Sequence, residues 1–150
     1  MDHEYADALN QAIRLLSLRH RARAAQLLAP LGLHAGQEAL LLELDRTGPC
    51  IQAQLSGALG CEPPSVTLMT RKLETSGHIQ RTPDPADRRA IIVALTDSGK
   101  KLVEQIRQLW VLLAEETVRD LPAEMLKRLP GVLYTMSSNV NSKTPAEPGP

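Results

Sequence analysis

Phenylalanine is absent from the 150 residues, and Tyr5, Trp110 and Tyr134 are the only aromatic side chains. Single-stranded nucleic acid is gripped by stacking bases on aromatic rings, so that mode of binding is excluded on supply alone. Cysteine is scarce too. Cys50 and Cys61 form no Cys-x-x-Cys pair and have no histidine beside them at ligand spacing. Neither a structural metal site nor a cofactor is expected, and a reduced, cytoplasmic protein is the default reading. No apolar run approaches the roughly 20 residues needed to cross a bilayer, and Asp2, Glu4 and Asp7 stand where a secretory leader would carry basic residues. No sign of charge dominates, because 17 Lys and Arg balance 17 Asp and Glu. That balance excludes a polycation coating nucleic acid or anionic lipid, but it says nothing about how charge is arranged along the chain.

Enzyme motifs are missing as well. Ser98-Gly99-Lys100-Lys101 has the look of the end of a phosphate-binding loop, but the glycine required five residues earlier is Ala94. His3-Glu4 lacks the second histidine of a zinc protease helix, and no Gly-x-Ser-x-Gly or Gly-x-Gly-x-x-Gly run occurs. Glu115-Glu116 belongs to a charged helix face. A non-enzyme is expected.

What is present is aliphatic and periodic. With 43% hydrophobic and 23% charged residues the chain can build a core of its own, as a single domain over residues 1–150. Helical spacing runs from about Tyr5 to Leu28, with Leu9, Ile13, Leu16, His20 and Leu27 near one face, and stops at Pro30 and Gly32. A second helix covers about Ala35 to Arg46. After the strand-like Pro49-Cys50-Ile51 come two short helices, Ile51 to Leu59 and Pro63 to Gly77, turned at Gly60-Cys61. The period then changes to two over His78–Thr82 and Arg89–Leu95, which predicts a hairpin with a polar tip, Pro83-Asp84-Pro85-Ala86-Asp87. Thr96 caps a long helix reaching about Arg119. Pro122 opens the last helix, whose Leu126, Leu129, Leu133, Met136 and Val140 form a seam that Pro130-Gly131 should kink or break. The tail 142–150, rich in proline, is expected to be disordered.

Two short helices followed by a hairpin with arginines at its base describe a winged helix-turn-helix in a mainly α (α+β) fold. The run Asp84-Pro-Ala-Asp-Arg-Arg-Ala-Ile-Ile-Val-Ala-Leu-Thr-Asp-Ser-Gly99 resembles the wing signature of the MarR (multiple antibiotic resistance regulator) family, in which Asp-x-Arg leads through a strand to Leu-Thr-x-x-Gly. The order of elements over residues 5 to 140 is similar to that family as well. The resemblance implies a homodimer held by terminal helices, here about 5–34 and 97–140. It places a DNA-binding lobe at about 35–96 with its wing at 78–95. It also implies a repressor or ligand-responsive regulator of double-stranded DNA.

With Val66, Met69 and Leu73 turned inward, the second short helix is expected to offer Ser65, Thr67, Leu68, Thr70, Arg71 and Lys72 to a major groove. Arg88 and Arg89 should project from the wing toward a minor groove, with Asp87 holding one of them by a charge-assisted bond and Arg81 contacting phosphate. Leu68 departs from the cationic or polar residue that many relatives carry there, so it could meet a thymine methyl but forms no hydrogen bond. Residues 63–101 hold seven basic against four acidic side chains, so the neutral total conceals a positive segment.

The resemblance also suggests a small aromatic or phenolic effector between the dimer region and the DNA-binding lobe, with Arg19, His20, His34 and Trp110 as candidate contacts. Against this, a lone histidine is more often structural, and Trp110 reads more readily as core. Cys61, near the start of the second short helix, is a candidate redox sensor. A winged helix serving protein interaction without DNA is the third reading, and retention of Arg71, Lys72, Arg88 and Arg89 weighs against it.

Overall fold

The computed structural model describes residues 1–141; the expected tail at 142–150 lies outside the described residues. The chain divides into a unit from Met1 to Leu113 and a second that begins at Ala114. Among the described residues the elements follow in the order α1 (His3–Leu28), a 3-10 turn (Ala29–Leu31), α2 (Gln37–Thr47), β1 (Cys50–Ile51), α3 (Gln52–Leu59), α4 (Pro63–Thr75), β2 (Ile79–Pro83), β3 (Ile91–Leu95), α5 (Asp97–Val118), α6 (Ala123–Leu126) and α7 (Leu129–Asn141). The small antiparallel sheet has the order β1-β3-β2.

Local chemistry fixes most boundaries. Asp2 caps α1 by accepting the Tyr5 N–H at 2.8 Å. The buried Gln37 reaches back from the first turn of α2 to accept the His34 N–H, also at 2.8 Å. Gly60, with φ 62°, makes the left-handed turn between α3 and α4 that a residue with a Cβ would resist. Glu62 precedes α4, whose first two residues are Pro63 and Pro64, and its carbonyl accepts the N–H groups of Ser65 (3.0 Å) and Val66 (3.3 Å).

The core is aliphatic, as the composition requires. Leu28, Leu40, Leu41, Leu44, Leu55, Val66, Leu73, Ile79, Val93, Leu102, Val103 and Ile106 are buried together, with Leu109 and Trp110 packed partly against them. These residues come from every helix of the lobe, from the sheet and from the first half of α5. Helices α3 and α4 are therefore held on a common floor with the sheet.

Two segments depart from the expected burial. In this single chain α1 buries only Leu28, while Ile13, Leu16 and Leu18 are exposed. His20 is exposed as well, whereas Leu9 and Leu27 of the expected α1 face are half-buried. In the second unit the predicted last helix is broken in two. The break falls at Lys127-Arg128, and Pro130 takes a place in the first turn of α7, where its missing N–H breaks no helical bond. Leu126, Leu133 and Val140 of the expected seam are exposed.

Candidate nucleic-acid interface

Helix α4 presents Ser65, Leu68, Arg71 and Lys72 to solvent, with Leu68 56% exposed. Thr67 is half-buried. Thr70, expected on the outward face, is fully buried: it follows Val66 by four residues and precedes Leu73 by three, which puts it in the buried stripe. Its hydroxyl lies 3.1 Å from Gln52 Oε1 and 3.0 Å from the Thr67 carbonyl, two acceptors that share its one proton. A buried hydroxyl with such partners is a structural group and not a groove contact.

The wing is a β2–β3 hairpin in which Gln80 pairs with Ala94, Arg81 with Val93 and Thr82 with Ile92. Both tip aspartates fold the loop. Asp84 Oδ1 accepts the Ala86 N–H at 2.9 Å and Asp87 Oδ1 accepts the Arg89 N–H at 3.0 Å, each two residues ahead. Asp87 thus holds the Arg89 backbone, and the expected charge-assisted bond to a guanidinium is not formed. Arg88 and Arg89 are exposed, and among the described residues neither is in an ion pair.

Arg81 has a different situation from the one expected of a phosphate contact. Its side chain is 18% exposed, its Nε donates to Gln52 Oε1 at 3.2 Å, and its guanidinium meets Glu74 at 3.5 Å. Gln52 therefore joins α3, α4 and β2. Sequence reading passed over it; the available signal was a polar residue opening α3 directly before a buried helical stripe. A cleft of about 360 Å³ separates the start of α4 from the base of the wing, lined among others by Gln52, Ser56, Thr67, Asp87 and Arg89. Arg89 of the wing and the start of α4 therefore border one concave surface.

Among the four candidate effector contacts, Arg19 and His20 are exposed on α1, His34 is exposed ahead of α2, and Trp110 packs against the core. Neither the cleft beside α4 nor the groove of about 500 Å³ at Glu124, Met125, Arg128, Leu129 and Val132 includes any of them. Both cysteines are free and half-buried. Burial pushes the Cys50 thiol up, opposed by a hydrogen bond with Thr47 and assisted by the nearby Glu43 carboxylate. Cys61 donates its thiol to the Leu59 carbonyl at 3.6 Å. Among the described residues no group of three or more His, Cys, Asp or Glu is placed to hold a metal ion, and no helix is long and apolar enough to cross a membrane.

Recognition helix, three-stranded sheet and arginine-bearing wing define a winged helix-turn-helix protein. The MarR family model matches residues 33–91, the span from the loop before α2 to the start of β3. The multiple antibiotic resistance protein MarR of Escherichia coli is 30% identical over 131 residues, covering 83% of this chain and 85% of that protein. The chain belongs to the MarR family of transcriptional regulators. A crystal structure of a cysteine-to-serine mutant of E. coli MarR complexed with operator DNA superposes with a TM-score of 0.77 at 25% identity, covering 91% of this chain and 99% of that one. BpsR of Bordetella bronchiseptica, whose structure concerns regulation of DNA binding by 6-hydroxynicotinic acid, gives a TM-score of 0.76 at 25% identity, covering 87% and 98%.

Proposed function

We propose that the chain is a homodimeric repressor that binds a pseudo-palindromic operator in double-stranded DNA and responds to a small aromatic effector. The observation that carries the DNA-binding part is the cleft at which α4 and the base of the wing meet, with Arg71 and Lys72 exposed on the helix and Arg88 and Arg89 exposed on the wing without ion-pair partners among the described residues. Exposed cations beside a groove-sized helix supply phosphate neutralisation, and the wing arginines suit the narrow minor groove. In a dimer two such helices, about 34 Å apart, would enter successive major grooves. Ser65, Thr67, Leu68, Arg71 and Lys72 then face bases and phosphates, while Thr70 and Arg81 support them from behind. The operator-bound E. coli relative supports this docking.

Dimerisation is supported by the exposed apolar residues of α1 and α7, which a second copy would cover. For the effector, the support is the regulation of BpsR by 6-hydroxynicotinic acid, a small aromatic acid. Arg19, His20, His34 and Trp110 remain the residues proposed to meet it, with no enzymatic step and no cofactor required. An effector acts only by binding the DNA-competent and DNA-incompetent states unequally. The proposed location is cytoplasmic, where the regulated genes are.

The test is selection of duplexes from a random-sequence pool by the full chain, followed by anisotropy titrations of the enriched sequence with and without 6-hydroxynicotinic acid. Enrichment of an inverted repeat bound by two chains is expected. Failure to enrich any sequence overturns the operator reading, and unchanged titrations across a panel of aromatic acids overturn the effector reading.

A further inference from the structure

Among the described residues from 19 to 110, Leu68 is the only Leu, Ile, Val, Met or Trp left exposed. An exposed leucine is unexceptional by itself. This one, however, stands at the crest of the recognition helix. Val66, Thr70 and Leu73 mark the buried side of α4. At about 100° per residue Leu68 lies almost diametrically opposite them, with Arg71 and Lys72 about 130° from the buried side, one to the left and one to the right. Thr67 lies at the edge, half-buried, its hydroxyl held between the Pro63 carbonyl and the Gln52 amide, each 3.1 Å away. Leu68 also falls in the N-terminal half of the helix, the half that reaches base edges when a recognition helix enters a groove. The part of α4 that goes deepest is therefore apolar, and cations flank it.

Base edges in the major groove are lined with hydrogen-bonding nitrogens and oxygens. The apolar group that projects among them is the C5 methyl of thymine. A leucine laid over the polar atoms strips their water and returns no hydrogen bond, whereas against the methyl both partners gain by burial. We propose that Leu68 is a specificity-determining residue that reads a pyrimidine C5 methyl by apolar contact, so that one position of each half-site is chosen by a methyl group and not by a hydrogen bond. Thymine carries that methyl in unmodified DNA, and 5-methylcytosine presents the same group at the same place. The inference rests on the operator-binding reading above.

The experiment uses the full chain and the duplex it enriches from a random-sequence pool. Each thymine is replaced in turn by deoxyuridine, which keeps O4 and the Watson–Crick pairing and lacks only the methyl. Anisotropy titrations compare the wild type with Leu68→Ala and Leu68→Met. At one thymine per half-site the wild type should lose about fourfold in affinity, and about fifteenfold when both half-sites are replaced. Leu68→Ala should bind the thymine and uracil duplexes alike, whereas Leu68→Met, still apolar and of similar reach, keeps the difference. The salt dependence is the same in all, because no phosphate contact is altered. Leu68 is 56% exposed, so the variants should fold as the wild type does, and circular dichroism checks this. A C·G pair put in place of that T·A pair, with and without a 5-methyl group on the cytosine, separates the two sources: affinity regained on methylation means that the methyl is read on either base, and no gain restricts the contact to thymine. A wild type indifferent to uracil at every thymine overturns the inference, as does a loss that persists undiminished in Leu68→Ala. A wild-type chain that selects no sequence overturns the operator reading instead.

Discussion

The α-carbon of Gly99 lies so close to the carbonyl oxygen of His78 that a methyl group on it would overlap that oxygen and would stand 3.2 Å from Leu95 Cδ2. Around this contact the start of α5 is latched to the turn that ends α4. Thr96 donates its N–H to the His78 carbonyl at 3.1 Å and its hydroxyl to the Gly77 carbonyl at 2.6 Å, while accepting the Gly99 N–H at 3.0 Å. The Leu-Thr-x-x-Gly run thus encodes one joint: the threonine ties the strand's end to the turn, and the glycine lets the helix approach.

Gly99→Ala should therefore lower stability, although alanine is ordinarily the better helix former by about 1 kcal/mol. Overpacking against immobile backbone outweighs that gain, and a net loss of about 2 kcal/mol is expected. Urea unfolding midpoints of the two proteins measure it, and an equal or higher midpoint for the variant would contradict the contact.

Removing the wing cations should affect binding and leave folding intact. In the Arg88→Ala, Arg89→Ala double variant, affinity for the selected duplex falls. The slope of log K against log salt becomes shallower by about 0.9 for each phosphate no longer neutralised. The thermal midpoint should hold, since both side chains are exposed and, among the described residues, outside any ion pair. Parallel titrations at several salt concentrations give the answer; identical slopes would remove the wing from the interface.

Leu126→Asp together with Leu133→Asp tests self-association. Both leucines are exposed in the single chain, at 37% and 45%, so the substitutions disturb no intrachain core. Burying charge in an apolar contact between copies is strongly unfavourable, and the variant should sediment as a monomer where the wild type sediments as a dimer. Equal sedimentation would place the dimer contact elsewhere.

Cys50 supplies a pH-dependent test. Its folded-state pKa is raised by burial, so the folded chain holds the thiol proton more tightly than the unfolded chain does. The stability this group contributes is present below the unfolded cysteine's pKa and is lost as pH rises through the folded value. With Cys61→Ser as background, iodoacetamide should label Cys50 more slowly in the folded chain than in urea at about pH 8, and the gap should narrow as the solution becomes more alkaline.

Much of this was legible in the residues. Apolar spacing placed the helices within a few residues, and the change of period at His78 placed the wing. The arginines after the wing tip could be read because exposed cations need no tertiary context. What could not be read depends on rotation by a single residue or on partners far apart in sequence. Thr70 looks like a groove hydroxyl beside Thr67 until its helical angle sets it toward Gln52, 18 positions earlier. Arg81 looks like a phosphate ligand until pairing of β2 with β3 turns it toward α3. Asp87 has acceptors enough for an arginine, yet the nearest donor in a tight loop is a backbone amide. Strand β1 is two residues long and exists only because β3 lies alongside, with Cys50 opposite Val93 and Ile51 opposite Ile92.

The paired prolines at the head of α4 have a consequence for how DNA is held. A helix N-terminus commonly grips phosphate through its free amides, aided by the helix dipole. Here Pro63 and Pro64 have no amide hydrogen, those of Ser65 and Val66 are turned back onto the Glu62 carbonyl, and the Glu62 side chain adds negative charge at the same end. The positive pole of the recognition helix therefore has few free amide hydrogens to offer an anion. Grip on the backbone falls to mobile cationic side chains, whose counterion release is steep in salt, so this regulator should let go of DNA over a narrower range of ionic strength than one anchored by fixed amides.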